Sequence, residues 1–298
     1  MPTAPAIHTT VATLRTAIAA IRASGGTIAL VPTMGALHDG HLDLVRLAKT
    51  KASHVVVSIF VNPKQFAPHE DFDRYPRQLE ADAAKLSPLA VSAIWAPTPP
   101  EMYPVGFATR IEVAGAALGL ETQFRPHFFG GVATVCCKLF SQVTPDVAVF
   151  GEKDYQQLTV LKQMVRDLNL PLTIIGAPTR READGLALSS RNAYLSSQER
   201  VIAPALHRAM TACAAAITAG TPIQQATAAA TAAVLAAGFK SVDYIAIRDA
   251  QTLAEITTSP SPPGERAGVR GQQQGVRGLR ILAAAWLGKT RLIDNIGV

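Results

Sequence analysis

The sequence predicts an α/β protein: a Rossmann-like, doubly wound parallel sheet followed by a smaller C-terminal α+β lid domain. Two observations predict this class. Apolar runs of strand length alternate with stretches of helical periodicity, and polar clusters follow several of these runs directly. Strands that are buried on both faces and separated by helices are typical of parallel sheets, and such sheets bind ligands beyond the carboxyl ends of their strands.

The composition is that of a folded protein with a large core. The chain has 298 residues, of which 48% are hydrophobic and 17% are charged, which suits one large or two smaller domains. Its cysteines, Cys136, Cys137 and Cys213, form neither a disulfide framework nor a metal knuckle. The N-terminus lacks a signal-peptide pattern, and no apolar run reaches the roughly 20 residues that span a bilayer. We therefore expect a cytoplasmic protein with no membrane partner.

The elements of the first domain, residues 1–179, follow in order. Val11, Leu14, Ile18 and Ile21 share one face of a helix, and the glycine pair at 25–26 ends it. Strands are expected at 28–31, 54–61, 90–95, 146–150 and 172–175, with helices at 77–86, 132–143 and 156–168 between them.

The second domain, residues 180–298, is expected to be a small α+β lid. A capping box from Ser196 to Glu199 opens a helix that continues to about residue 219, and a second helix covers 223–237. Short strands are expected at 242–247, 280–285 and 290–294.

A low-complexity segment, residues 259–278, interrupts this domain. It is rich in Ser, Pro, Gly, Arg and Gln and repeats the letters GVRG at 268–271 and 275–278. The formal charge of +6 would suit an anionic partner such as nucleic acid, but several arginines fall in this segment. We expect an exposed, flexible insertion rather than an RNA-binding arm, and no nucleic-acid partner.

The stretch at residues 31–41, VPTMGALHDGH, predicts the site. It joins the first predicted strand to a helix, so the free N–H groups and positive dipole of the helix meet one spot beyond the strand. His38 and His41 share one face of the first turn, and Gly40 leaves room for a nucleotide. An ordinary strand-to-helix turn remains the alternative. A metal pair is less favoured, because metal-binding histidines on a helix prefer i,i+4 spacing, and no metal-ligand set is assigned.

Residues 32–41 resemble the signature of the pantothenate synthetase family, within the HIGH-type nucleotidyltransferases that also include class I aminoacyl-tRNA synthetases. Further matches follow in order at 58–66, 75–77, 151–158, 184–192 and 290–295. The resemblance covers essentially the whole chain apart from the insertion. One departure is clear: Phe128 stands where the family pattern has histidine, and His127 lies one place earlier. Either His127 takes over that role or the role is dispensable.

The resemblance implies ATP-dependent condensation of (R)-pantoate with β-alanine to pantothenate, through a pantoyl adenylate, with release of AMP and pyrophosphate. ATP is then a co-substrate, Mg²⁺ bridges its phosphates, and the protein is a homodimer. Catalytic roles fall on His38, His41 and Lys153, with His41 as the proton donor. The implied ATP-binding residues are Met34, Gly35, Ala36, Leu37, His38, Asp39, Gly40, His41, Gly151, Glu152, Lys153, Asp154, Arg180, Leu188, Ser189, Ser190 and Arg191.

The resemblance also implies that Gln65 and Gln157 bind pantoate or β-alanine. An amide can donate to a carboxylate and accept from a hydroxyl, but without the resemblance both glutamines would be read as exposed loop side chains. Two other functions stay open on the residues alone. One is a nucleotidyltransferase that stops at adenylyl or cytidylyl transfer. The other is a basic RNA-binding protein, although clustered aromatics for base stacking are missing.

Overall fold

The computed structural model describes residues 5–67, 70–256 and 278–298. The insertion expected at 259–278 lies outside the described residues except for Gly278, so its flexibility stays a prediction. The chain divides into two compact units. The first is Met1–Glu152, Gln156–Arg180 and Leu188–Ser190, and the second is Lys153–Tyr155, Arg181–Ala187 and Arg191–Val298.

The first unit contains the parallel sheet that the sequence predicts. Its strands are β1 (Ala6–His8), β2 (Ile28–Thr33), β3 (His54–Ile59), β4 (Ala93–Trp95), β5 (Val147–Gly151) and β6 (Thr173–Ala177). They run in the order β1-β4-β3-β2-β5-β6, and every pairing is parallel. The chain adds strands on one side of β2 and then returns to β5 on its other side. That reversal makes the carboxyl ends of β2 and β5 the expected binding crevice.

The predicted helices of this sheet begin and end close to the expected residues, with one informative difference, and two short helices at Pro99–Met102 and Glu121–Phe124 were not predicted. They are α1 (Val11–Ala23), α2 (Asp39–Lys49), α3 (Leu79–Leu86), α4 (Pro99–Met102), α5 (Glu121–Phe124), α6 (Phe128–Val143) and α7 (Tyr155–Asp167). Helix α6 begins four residues before the predicted start and includes Gly130 and Gly131, which disfavour helix in isolation. A Cβ on Gly131 would overlap the backbone carbonyl of Lys64, so close packing explains this glycine.

The core of the first unit lies against the central strands. Residues 28–31 of β2 are fully buried, and Leu44, Val45 and Ala48 of α2 pack against the same core. Short β1 was not predicted, because three residues at a sheet edge carry too little periodicity to be recognised. The β2 core places the turn after Thr33 at the centre of the sheet.

The second unit contains helices and an antiparallel sheet. Its elements are α8 (Ser197–Ile202), α9 (Ala205–Thr218), α10 (Ile223–Ala236), β7 (Ser241–Asp249), β8 (Leu279–Leu287) and β9 (Thr290–Gly297). The strand order is β7-β8-β9, with both pairings antiparallel. The predicted capping box is present: Ser196 Oγ accepts from the Glu199 N–H at 3.2 Å, and Glu199 Oε2 accepts from the Ser196 N–H at 2.8 Å.

The single helix expected from Ser196 to about residue 219 was wrong. The chain turns at Ala203 and Pro204, because Pro204 has no N–H to donate to the carbonyl of Arg200. The stretch Ser197–Thr218 is long and apolar enough, by length and composition alone, to cross a membrane, but buried core helices meet the same criterion. Its residues Leu206 and Met210 are buried in the core of the second unit, which accounts for its apolar character.

Candidate active site

The turn between β2 and α2 fixes the geometry of the two predicted histidines. His38 is the N-cap residue directly before α2, and its N–H donates to His41 Nδ1 at 3.3 Å. The two ring centroids lie 4.1 Å apart, so both imidazoles share one face, as the spacing predicts. Because Nδ1 of His41 accepts a hydrogen bond, the neutral ring carries its proton on Nε2. The turn thus holds His41 in the tautomer that donates from Nε2.

Arg180 lies beside this turn. It follows β6, and its Nη1 is 2.7 Å from Asp43 Oδ2, while its Nη2 is 3.5 Å from Asp39 Oδ2. Burial would raise the pKa of Asp43, but hydrogen bonds from Arg180 and Arg46 outweigh that effect and hold the pKa below its ordinary value. A Cβ on Gly40 would lie 3.0 Å from the His38 ring and 3.8 Å from the Arg180 side chain. Glycine therefore keeps the space between these two side chains open.

Gln65 is buried, which contradicts its reading as an exposed loop residue. Its side chain is held at the end of β3, with Nε2 2.9 Å from Met34 Sδ and Oε1 accepting from Asn62 Nδ2 at 3.1 Å. Asn62 is itself buried and accepts from the Tyr103 hydroxyl at 2.8 Å. The structure thus brings together two predicted residues, Met34 and Gln65, that follow neighbouring strands.

Arg125 was not predicted, yet it anchors the Gln65 loop. Its Nη2 donates to the Gln65 carbonyl at 2.9 Å, and it forms ion pairs with Glu70 at 2.6 Å and Glu121 at 2.9 Å. Its guanidinium carbon also lies 4.0 Å from the ring centroid of Phe128, the residue at the family's histidine position. Only the i,i+4 spacing of Glu121 and Arg125 was visible in the sequence.

His127 lies in different surroundings from Phe128. It lines a cavity of about 160 Å³ together with Lys64, Arg110 and Thr134. Its Nε2 is buried and finds no hydrogen-bond partner in the described part of the chain. Aromatic stacking on Arg125 therefore belongs to Phe128, while His127 lines the cavity.

The other predicted residues of the first unit lie near the ends of β5 and β6. Gly151 ends β5, directly before Glu152, and the Leu188 N–H donates to the Arg180 carbonyl at 2.9 Å. Ser190 directly follows Ser189, and its Oγ lies 3.1 Å from the hydroxyl oxygen of Tyr75. Gln157 lies half-buried on α7. The sequence thus identified segments that follow the strand ends, as the topology requires.

Lys153, Asp154 and Arg191 belong to the second unit. The Lys153 carbonyl accepts from Asn295 Nδ2 at 2.9 Å, and its Nζ lies 4.0 Å from Asp154 Oδ1. Asn295 Oδ1 in turn accepts from Arg280 Nε at 2.7 Å. Asn295 lies within a matched motif but was given no role, because 142 residues separate it from Lys153.

Comparisons with known proteins give a consistent result. The model of the family described as pantoate-beta-alanine ligase matches residues 6–297. The chain is 56% identical over 296 residues to the pantothenate synthetase of Caulobacter vibrioides, covering 99% of each chain. It resembles the crystal structure of pantothenate synthetase from Thermus thermophilus with a TM-score of 0.86 and 44% identity, over 98% of each chain. It also resembles pantoate-beta-alanine ligase from Francisella tularensis complexed with beta-gamma ATP and beta-alanine, with a TM-score of 0.77, 33% identity and coverage of 98% and 97%.

Proposed function

The chain belongs to the pantoate-beta-alanine ligase family, and on that premise we propose how its residues carry out the reaction. The enzyme condenses (R)-pantoate with β-alanine and consumes ATP, giving pantothenate, AMP and pyrophosphate. The pantoate carboxylate attacks the α-phosphorus of ATP, which forms pantoyl adenylate and releases pyrophosphate. The amine of β-alanine then attacks the activated carbonyl, and AMP leaves.

The geometry of His38 and His41 carries this proposal. As pyrophosphate leaves, negative charge builds on the oxygen that joined it to the α-phosphorus, and a hydrogen-bond donor aimed there stabilises the transition state. The hydrogen bond from the His38 N–H to His41 Nδ1 supports Nε2 of His41 as that donor. No protein nucleophile is needed, so the enzyme acts by positioning and electrostatic stabilisation.

The remaining phosphate contacts are proposed from the family pattern. Lys153 supplies a cation to the triphosphate, and Ser189, Ser190 and Arg191 bind the β- and γ-phosphates. Asp154 is assigned to the ribose or to magnesium. The hydrogen bond that fixes the Lys153 carbonyl to Asn295 supports a fixed position for the backbone at this cation.

Gln65 and Gln157 are proposed to bind pantoate. An amide can donate to the substrate carboxylate while it accepts from a substrate hydroxyl. The burial of Gln65 beside Met34 supports this role, since pantoate presents both hydroxyl and methyl groups. A buried glutamine amide next to a thioether matches both kinds of group.

Magnesium, assembly and location complete the proposal. Mg²⁺ dehydrates reluctantly and keeps several water ligands, so we propose that phosphate oxygens and water hold it, with few protein ligands. It would offset the charge of the triphosphate. From the resemblance we also propose that the protein is cytoplasmic and forms a homodimer. Light scattering on purified protein would test the dimer by its molar mass.

The test is a coupled assay of AMP formation with ATP, Mg²⁺ and pantoate, with and without β-alanine. We expect steady AMP release with both substrates together. Pantoate-dependent exchange of pyrophosphate into ATP without any AMP release would mean that the enzyme stops at adenylyl transfer. Absence of both activities would contradict the proposal.

A further inference from the structure

A buried carboxylate grips the turn that carries the two histidines. Asp82 lies on α3 and is fully buried. Its Oδ2 accepts from the Ala36 N–H at 2.9 Å, and its Oδ1 accepts from the Leu37 N–H at 2.8 Å. Hydrogen bonds to an ionised carboxylate are shorter and stronger than those between neutral groups. Both oxygens of one side chain therefore hold two successive backbone groups of the turn.

The turn needs this support because its backbone is unusual. Gly35 and Ala36 have φ angles of 83° and 51°, and the left-handed region is unfavourable for alanine. Residues held in such conformations persist where their surroundings enforce them, and they concentrate at functional sites. A Cβ on Gly35 would lie 3.0 Å from Asp82 Oδ2, so glycine suits both the angle and the space. The carboxylate and the glycine fit one another.

A second side chain of α3 contacts the same turn. Lys85, one helical turn after Asp82, donates from Nζ to the Leu37 carbonyl at 2.5 Å. Three backbone groups of residues 36 and 37 are thus held by one helix. His38 follows directly, and its N–H is the group that fixes Nδ1 of His41.

We propose that Asp82 is a positioning residue for adenylate formation, which it supports by holding the turn in the shape that aims His41 at the phosphates. It acts through the backbone of Ala36 and Leu37 and is assigned no contact with substrate. The inference rests on the proposed role of His41. It goes beyond that role because it explains what keeps a strained turn in one conformation.

The test uses Asp82→Asn, which keeps the size of the side chain but replaces one acceptor oxygen with a donor. That nitrogen would face a backbone N–H, so one of the two hydrogen bonds is lost. We expect kcat to fall about 10- to 100-fold, the range that a small misplacement of a catalytic group produces. We expect KM for β-alanine to stay within about twofold of the wild-type value. The turn acts on the phosphates of ATP through His41, whereas β-alanine reacts through its amine in the second step.

Three further variants separate positioning from general structural support. His41→Asn retains an acceptor near Nδ1 but lacks Nε2, and the double variant with Asp82→Asn should be little slower than His41→Asn alone if both act through one group. Lys85→Met removes the exposed cation that holds the Leu37 carbonyl and should give a smaller loss in the same direction. Glu80→Gln removes an exposed charge from the same helix and should match wild type.

Amide hydrogen exchange reads the turn without relying on activity. We expect faster exchange in the peptide that covers residues 34–41 in Asp82→Asn, with protection of β2 retained. Full kcat in Asp82→Asn, or losses that add fully to those of His41→Asn, would overturn the proposal. If His41→Asn alone leaves AMP formation unchanged, the proposed role of His41 is wrong. Unchanged amide exchange in Asp82→Asn would show, independently of activity, that the Asp82 carboxylate does not hold the turn.

Discussion

Replacing Arg125 with methionine should destabilise the first unit strongly. The change removes a two-point contact with Glu70, at 2.7 and 2.6 Å, and an ion pair with Glu121. The Glu121 side chain is 7% exposed, so its carboxylate is poorly solvated once Arg125 is removed. The Glu70 side chain is 18% exposed, so water solvates its carboxylate better. Removing one partner of a buried pair costs about 3–5 kcal/mol.

Arg125→Met also removes two weaker interactions. The Gln65 carbonyl loses a donor, worth about 1 kcal/mol, and the stack on Phe128 contributes about 0.5–1 kcal/mol. These contributions share one side chain and do not add independently. Because Glu70 is partly solvated, we expect a total decrease of about 3–5 kcal/mol in the free energy of unfolding.

Urea unfolding followed by tryptophan fluorescence measures this decrease. Trp95 is buried in β4 of the first unit, so a Trp286→Phe background makes the signal specific to that unit. Arg125→Met combined with Glu70→Gln and Glu121→Gln should recover a large part of the loss, because it leaves no uncompensated charge. Arg125→Met should also raise KM for pantoate more than it lowers kcat, since the Gln65 loop loses its anchor. A free energy of unfolding within about 1 kcal/mol of the wild-type value would refute the reasoning.

Further predictions concern the catalytic groups, the packing of α6 and acid stability. His41→Ala should lower kcat about 100- to 1,000-fold with the fold intact by circular dichroism, the cost of losing one transition-state donor, and unchanged turnover would remove His41 from the mechanism. Lys153→Ala should raise KM for ATP in steady-state kinetics, and normal ATP kinetics would contradict that contact. Gly131→Ala should destabilise the first unit because its Cβ overlaps the Lys64 carbonyl, whereas Gly297→Ala, with open space around it, should leave the urea midpoint unchanged; equal midpoints would refute this. Burial would raise the pKa of Asp146, but hydrogen bonds from Arg22 and the Ile28 N–H outweigh the effect of burial and lower the pKa. The contribution of Asp146 to stability is therefore present above about pH 4 and is lost as the pH falls through the pKa of the folded state. The stability gap between wild type and Asp146→Asn should therefore narrow at low pH in urea titrations, and a gap that widens would contradict the sign.

Local patterns explain why so much of the fold was predictable. Each central strand is a short apolar run because it is buried on both faces, and runs of this kind are visible without partners. The Ser196–Glu199 capping box and the spacing of His38 and His41 are likewise local, since every atom involved lies within one turn of helix. The break at Pro204 was also a local signal, and the sequence reasoning overlooked it.

Other features had no local signal. Gln65 lies in a polar loop segment, and only the packing of Met34, Asn62 and Tyr103 around it makes it a buried side chain. The early start of α6 opposes the helix propensity of its glycines, because the approach of the Lys64 backbone requires them. In both cases contacts between distant segments outweigh the preference of the local sequence.

The sequence by itself determined most of the strand and helix pattern, the parallel class of the first sheet, and the spacing that brings His38 and His41 to one face of the turn. Tertiary structure decided which distant side chains hold that chemistry in place: Asp82 is 46 residues from Ala36, and Arg125 is 60 residues from Gln65. A periodic pattern records how much of a residue is buried, because burial repeats along an element. A hydrogen bond across the fold depends on where two elements meet, and that position is set only when the sheet has formed.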